Sequence, residues 1–276
     1  MQLQGIDKNH IATLSTQQIV NLSTTQIALL SIDQIAAMSS LQVRALTSAQ
    51  LNALDTEQVA SLTTAQVVAL TSAQLNALTS VKLQAIETQD VQALSSTQIS
   101  GLTAAQLNKL STDQLQVVST VQVQGLSSTQ LNGLTSQTVQ ALTTSTTNGL
   151  STTQMQSLGS TLLNRLTTDQ VNALTSTNLR AISTSAMKGV DVAQLNALSS
   201  AQVQALTTSQ ISELSSTQLV NLDSSQVKAL SSAQLNALSS VGIQAIETAD
   251  LQAIAGTTLA ALSGDQLNNL STDQVQ

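Results

Sequence analysis

Hydrophobic residues in this chain recur in an eight-residue register. With Leu46 taken as position a of an octad labelled a to h, every eighth residue from Ile6 to Leu270 is Leu, Ile, Val or Met, at 34 positions without exception. Position f is aliphatic in 33 of 34 octads, and Thr147 is the exception. So strict a period is typical of an array built by stacking one small unit. We therefore expect one continuous array over residues 1–276, without separate capping repeats.

Each octad carries the signals that start a helix. Position b is Ser, Thr or Asp in 30 of 34 octads, and position e is Gln in 23, as in Thr47 and Gln50. This S/T-x-x-Q spacing predicts a capping box, in which each side chain accepts a hydrogen bond from the backbone N–H of the other residue. Positions a and f fall where a hydrophobic staple places its two apolar residues.

One long helix cannot bury this pattern, since eight residues at about 100° each would rotate the apolar stripe by about 80° per octad. We predict an all-α solenoid of very short capped helices, about one per octad, running from c to the next a. Positions a and f would lie inside, and the small residue common at h would allow close approach. The alternative is a β-solenoid, which the Ser and Thr content permits but the fixed Ala and Gln positions disfavour.

A longer period is superimposed on the octad. Position d, normally polar or Ala, is aliphatic at Leu41, Val81, Val121 and Val241, which are spaced by 40 residues or a multiple of 40. Residues 72–94 also return almost intact at 232–254. Two interpretations remain open: gene duplication in blocks of five octads, or a coil that contains five octads.

Composition narrows the class of protein. Phe, Trp, Tyr, Cys and Pro are absent, and the net charge is −7 with only eight Lys and Arg. Without a basic patch, nucleic-acid binding is not expected. The sequence contains no run of 18 apolar residues, so no transmembrane segment is predicted. The first residues also lack the apolar region of a signal peptide. A small-molecule ligand is not expected.

Few residues are candidates for chemistry. His10 is the sole histidine and occupies position e, where a capping or surface role is predicted. The acidic pairs at predicted helix starts are Asp55–Glu57, Glu87–Asp90 and Glu247–Asp250. A pair supplies too few oxygens for Ca²⁺, which takes six or more. We predict no catalytic, cofactor-binding or metal-binding residue, and therefore no enzyme.

Amides at position g admit two interpretations, namely stacked amide ladders or solvated polar side chains. The residues concerned are Asn52, Asn76, Gln84, Asn196, Asn236 and Gln244.

Two resemblances bear on function. Residues 62–70 (LTTAQVVAL) resemble the helix start of TAL-effector repeats, but the base-reading loop is absent, so DNA binding is not carried over. Runs such as LSTDQLQVV, LTSAQLNAL and LTTSQISEL are similar to octad arrays of very large bacterial secreted or surface proteins, and this likeness covers the whole chain. Those arrays are often labelled adhesin-like, haem-utilisation or β-strand repeat proteins.

The second resemblance implies an extracellular structural or adhesive role. Haem binding is not expected, because no pair of His, Met or Tyr is placed as axial ligands. We expect a structural repeat protein of a fibre, stalk or matrix that associates end to end with copies of itself, since no atypical capping octad is visible. The alternative is a ligand-binding adhesin module for glycans or proteins.

Overall fold

The fold is known from a computed structural model that describes residues 7–275. Within those residues every regular element is a helix, and no strand occurs. This confirms the prediction of an all-α solenoid over the β-solenoid. The chain divides into two compact units, Met1–Leu142 and Thr143–Gln276.

The first unit contains α1 (Lys8–Thr13), α2 (Thr16–Val20), α3 (Thr24–Ala28), α4 (Ile32–Ala37), α5 (Ser40–Ala45), α6 (Ser48–Ala53), α7 (Thr56–Ala60), α8 (Thr64–Ala69), α9 (Ser72–Ala77), α10 (Ser80–Ala85), α11 (Thr88–Ala93), α12 (Ser96–Ser100), α13 (Ala104–Leu107), α14 (Thr112–Gln116), α15 (Thr120–Gln124), α16 (Ser128–Asn132) and α17 (Ser136–Ala141).

The second unit contains α18 (Thr144–Asn148), α19 (Thr152–Ser157), α20 (Ser160–Leu163), α21 (Thr168–Ala173), α22 (Ser176–Ala181), α23 (Thr184–Lys188), α24 (Val192–Asn196), α25 (Ser200–Ala205), α26 (Thr208–Ser212), α27 (Ser216–Val220), α28 (Ser224–Lys228), α29 (Ser232–Asn236), α30 (Ser240–Gln244), α31 (Thr248–Gln252), α32 (Gly256–Leu259), α33 (Gly264–Asn268) and a 3-10 helix (Thr272–Gln274).

Each helix starts at position c, directly after its cap. In α6, Thr47 is extended (φ −71°, ψ 158°), and its hydroxyl accepts from the N–H of Gln50 at 3.2 Å. The Gln50 Oε1 accepts from the N–H of Thr47 at 2.8 Å, which completes the predicted capping box. Most helices repeat it. The octads without a cap side chain at b, such as those of Glu87 and Gly159, lack it.

The helices end earlier than predicted. In α6 the last helical residue is Ala53 at position h, and Leu54 at position a is already extended (φ −61°, ψ 144°). Two consecutive extended residues, a and b, therefore make the corner between helices. No described residue has a positive φ. An extended corner needs neither Gly nor Pro, which is consistent with the absence of Pro and the ten Gly in 276 residues.

The core is the predicted one. Leu51 at position f is 1% exposed and Leu54 at position a is not exposed at all. Thr147, the polar exception at position f, is also buried, and its hydroxyl donates to the carbonyl of Thr143 at 3.1 Å. This local bond satisfies the hydroxyl and lets Thr replace an aliphatic residue there.

Successive coils stack helix on helix. In the first unit α1 packs on α4 and α5 on α8, and in the second α18 packs on α21 and α22 on α25. A coil therefore closes after between three and four octads, and the five-octad interpretation is wrong. The aliphatic side chains at d are exposed instead, for example 70% for Leu41 and 64% for Val81. Gene duplication is therefore the interpretation of their 40-residue spacing that remains.

Glycine at position h allows coils to approach closely. A Cβ added to Gly101 would lie 2.2 Å from the Oγ of Ser72, and one added to Gly133 would lie 2.8 Å from the Cβ of Ala104. Position h thus packs against position c of the preceding coil. This is the close approach that the small residues common at h predicted.

Candidate interaction surface between coils

The glutamine at position e joins each coil to the one before it. In α6 the Gln50 side chain is 3% exposed. Its Nε2 donates to the carbonyls of Ile19 at 3.0 Å, Val20 at 3.1 Å and Leu22 at 2.7 Å. These carbonyls lie at a helix C-terminus, where the last carbonyl groups have no partner within the helix. One side chain therefore caps its own helix with its oxygen and the helix below with its nitrogen.

The same donation to a coil 28 to 31 residues earlier recurs in both units. The glutamines that make it are Gln42, Gln50, Gln58, Gln66, Gln74, Gln98, Gln106, Gln114, Gln122 and Gln130 in the first unit, and Gln194, Gln202, Gln210, Gln218, Gln226, Gln234, Gln266 and Gln274 in the second.

Two other side chains at position e also donate to the preceding coil. The Lys82 ammonium donates to the carbonyl of Asn52. The Asn178 amide donates to the carbonyl of Leu150 at 3.1 Å and still forms a capping box with Thr175. A donor to the preceding coil is thus the shared property of these substitutions.

Amides at position g bind in the opposite direction. Asn52 Nδ2 donates to the carbonyl of Ala77 at 2.8 Å, and its Oδ1 accepts from the N–H of Thr79 at 3.2 Å. Gln84 donates likewise to the carbonyl of Lys109 at 2.8 Å. The amide-ladder interpretation is therefore wrong, because these amides contact backbone of the next coil rather than each other. The amides are exposed or half-buried, as the solvated interpretation predicts, but that interpretation did not include their bonds to the next coil.

The remaining amides at position g differ in whether they bond to the next coil. Asn76, Asn236 and Gln244 make the same forward bond, whereas Asn196 makes none with the described residues.

The two amide systems compete for one backbone N–H. Asn76 Oδ1 accepts from the N–H of Thr103 at 2.9 Å, which is the group that Gln106 would bind in a capping box. The Gln106 Oε1 is left as the buried side-chain atom without a hydrogen-bond partner among the described residues. Cross-coil binding by position g therefore replaces local capping by position e in this octad.

Two octads carry Asp instead of Gln at position e. Asp90 is 1% exposed, and its carboxylate accepts from the Thr64 hydroxyl at 2.6 Å. Burial raises the pKa of Asp90, the Thr64 hydroxyl opposes that rise, and the Glu87 charge adds to it. The Asp250 carboxylate accepts a hydrogen bond from the Ser224 hydroxyl in the same way.

The other candidates for chemistry lie apart. His10 is exposed on α1. Asp55 caps α7 and accepts from the N–H of Gln58 at 2.8 Å, with Glu57 in the first turn. In residues 7–275 no three His, Cys, Asp or Glu side chains are close enough to hold a metal ion. The search for membrane spans over the same residues found no helix with the length and apolarity to cross a bilayer.

Sequence analysis missed the cross-coil role of position e. A capping box accepts Glu as readily as Gln, yet none of the 34 e positions is Glu. Only the amide supplies N–H donors as well as an acceptor. The absence of Glu beside 23 Gln was therefore the available signal that a donor is favoured at position e.

The fold and its contacts define an all-α solenoid of octapeptide repeats. Within that class, the chain belongs to the ALTTAQ repeat family, which matches residues 4–40, 35–64, 43–81, 83–120, 176–208 and 243–276. The six letters of that name correspond to positions h to e, and they end on the glutamine that joins the coils. No curated protein matches the chain.

Proposed function

We propose that this chain is a structural repeat protein of an extracellular fibre, stalk or matrix, whose copies stack end to end. The observation that carries the proposal is the contact between coils, which uses the same donors and acceptors throughout both units. Since each coil offers the same surfaces, a coil of a second copy fits where a coil of the same chain fits. The resemblance to bacterial surface arrays supports a place outside the cell.

The donor side is open in the first described coil. Gln18 and Gln26 form capping boxes with their oxygens. Their amide nitrogens bond to no described residue, whereas Gln50 uses the same atom for three carbonyls. These two amides are available to the helix ends of another coil.

The acceptor side is open in the last described coil. From Ile11 to Leu251 every position f is buried, whereas Leu267 is 49% exposed and Val275 is 63% exposed. A coil stacked on them would cover this apolar surface and supply amides to the carbonyl groups beside it. Such a contact joins unlike faces, so it extends rather than closes.

Variants at the two open sides test the proposal. Light scattering over a dilution series, with negative-stain microscopy, should show association that increases with concentration. Leu267→Lys and the double variant Gln18→Leu/Gln26→Leu should each prevent it, because one buries a charge and the other removes two donors. Leu41→Lys is the matched control, since Leu41 is exposed at position d, away from the stacking contact.

Monomers at every concentration would contradict self-association. That result would favour further octads of the same polypeptide as the occupants of both sides. Association that Leu41→Lys disrupts as strongly as Leu267→Lys would place the contact on the lateral surface instead.

The exposed aliphatic side chains at position d favour a second candidate, a ligand-binding adhesin module. Leu41, Val81, Val121 and Val241 are each 64–70% exposed, and exposed apolar surface marks interaction sites. Saturable binding on a glycan or protein array, lost on replacing these residues with Ser, would favour this function. Absence of binding together with concentration-dependent assembly would favour the structural one.

A further inference from the structure

The octad that begins the α11 helix departs from the repeat at both of its capping positions. Glu87 at b makes no side-chain cap bond, and Asp90 at e carries no amide. The register places the carbonyls of Val59, Ala60 and Leu62, 28 to 31 residues earlier, opposite position e, as it does for Gln50. An ionised carboxylate has no hydrogen to donate to them.

We propose that Asp90 is an acid-responsive contact between coils: its protonated carboxyl group donates to a backbone carbonyl of the preceding coil, as glutamine does elsewhere, and its ionised form does not. The proton comes from water and returns to it. Among the described residues, the Thr64 hydroxyl is the group that donates to the Asp90 carboxylate, at 2.6 Å, and it holds the ionised side chain to the preceding coil.

The surroundings contain little charge that could account for such a response. The α8 helix, which packs on α11, carries no titratable side chain, and α14 on the other side carries Asp113, which is exposed. Glu87 at the start of α11 is exposed too. The Lys82 ammonium on α10 donates to the Asn52 carbonyl. Asp90 is thus the buried acid of this contact.

The geometry occurs twice, because the Ser224 hydroxyl donates to the Asp250 carboxylate in the second unit as the Thr64 hydroxyl does to Asp90. Glu247 again stands at b without a cap bond. A carboxyl group supported by a hydroxyl is therefore a recurrent alternative to glutamine, rather than an isolated substitution.

The direction of the response follows from linkage. Burial raises the pKa of Asp90 above its ordinary 3.8 in the folded chain. The stabilisation from this group is therefore fully present below the unfolded-state value and is lost as the pH rises through the raised one. The contact between α8 and α11 should be tighter in acid than at neutral pH.

Hydrogen exchange of the full chain, corrected for the intrinsic pH dependence of exchange, tests this locally. Between about pH 3 and about pH 7, protection of the α11 amides should fall by about fivefold, the size expected when one hydrogen bond is lost. Asp90→Asn and Asp90→Gln should remove that change and should protect α11 better than the natural chain at neutral pH. Asn178 shows that Asn at position e makes both bonds.

Asp113→Asn is the matched control, because it removes an exposed acid from the adjacent helix α14. It should leave the pH profile of α11 unchanged. The proposal is overturned if the profile persists in both Asp90 variants, or if Asp113→Asn flattens it to the same extent.

Discussion

The helices α6 and α13 carry the same two capping residues and yet differ in structure. Thr47 and Gln50 form a complete capping box, and α6 has six residues. Thr103 and Gln106 form half of one, and α13 has four residues. Both glutamines are 3% exposed, and both donate to three carbonyls of the preceding coil.

The difference originates one coil earlier. Val20 lies 27 residues before the cap of α6 and has no acceptor to offer, whereas Asn76 lies at that place for α13 and takes the cap N–H at 2.9 Å. A local motif is thus decided by a residue that is distant in sequence. The comparison separates what position e contributes to its own helix from what it contributes to the stack.

The largest expected effect is loss of the amide at position e. Gln50→Leu removes the donor to Ile19, Val20 and Leu22 together with the acceptor for the cap N–H, and should destabilise the chain by about 2–3 kcal/mol. Gln106→Leu removes only the donor, so it should destabilise by about 1 kcal/mol less. Denaturant unfolding combined with local hydrogen exchange measures both. Equal losses would show that the capping half of the box contributes nothing.

A smaller effect is expected at the caps themselves. Both Thr47 and Thr103 accept from the backbone N–H of position e at 3.2 Å, so Thr47→Ala and Thr103→Ala should each destabilise by about 1 kcal/mol. Ser48→Ala is the control, because Ser48 follows the cap and should lose much less. A clear inequality between the two threonines would mean that Asn76 also alters this half of the box.

The smallest effect is expected at position g. Asn76→Ala releases the N–H of Thr103 to Gln106, whose buried oxygen lacks a partner, so a new bond offsets part of the loss. Asn52→Ala has no such replacement, because position e of the octad that it binds is Lys82. Asn52→Ala should destabilise by about 0.5–1 kcal/mol more than Asn76→Ala. The reverse order in thermal unfolding would exclude competition between the amides.

The capping box and the buried positions a and f could be read from the sequence because they depend on residues at most five apart. The octads per coil could not, because that number depends on the corner angle between helices, to which the extended Leu54 contributes. The sequence also does not show whether the amide at position e or the one at position g accepts from the cap N–H. Asn76 takes that of Thr103, whereas Asn196 leaves that of Asp223 to Gln226 at 3.1 Å.

The fixed distance of the cross-coil bonds bears on how such a chain changes length. A glutamine finds its acceptors 28 to 31 residues earlier, and those acceptors are backbone groups that every octad possesses. When replication slippage inserts or deletes one whole octad, each later glutamine meets the carbonyls of a neighbouring octad in the same geometry. The number of octads can therefore change one at a time without leaving a buried polar group without a hydrogen-bond partner.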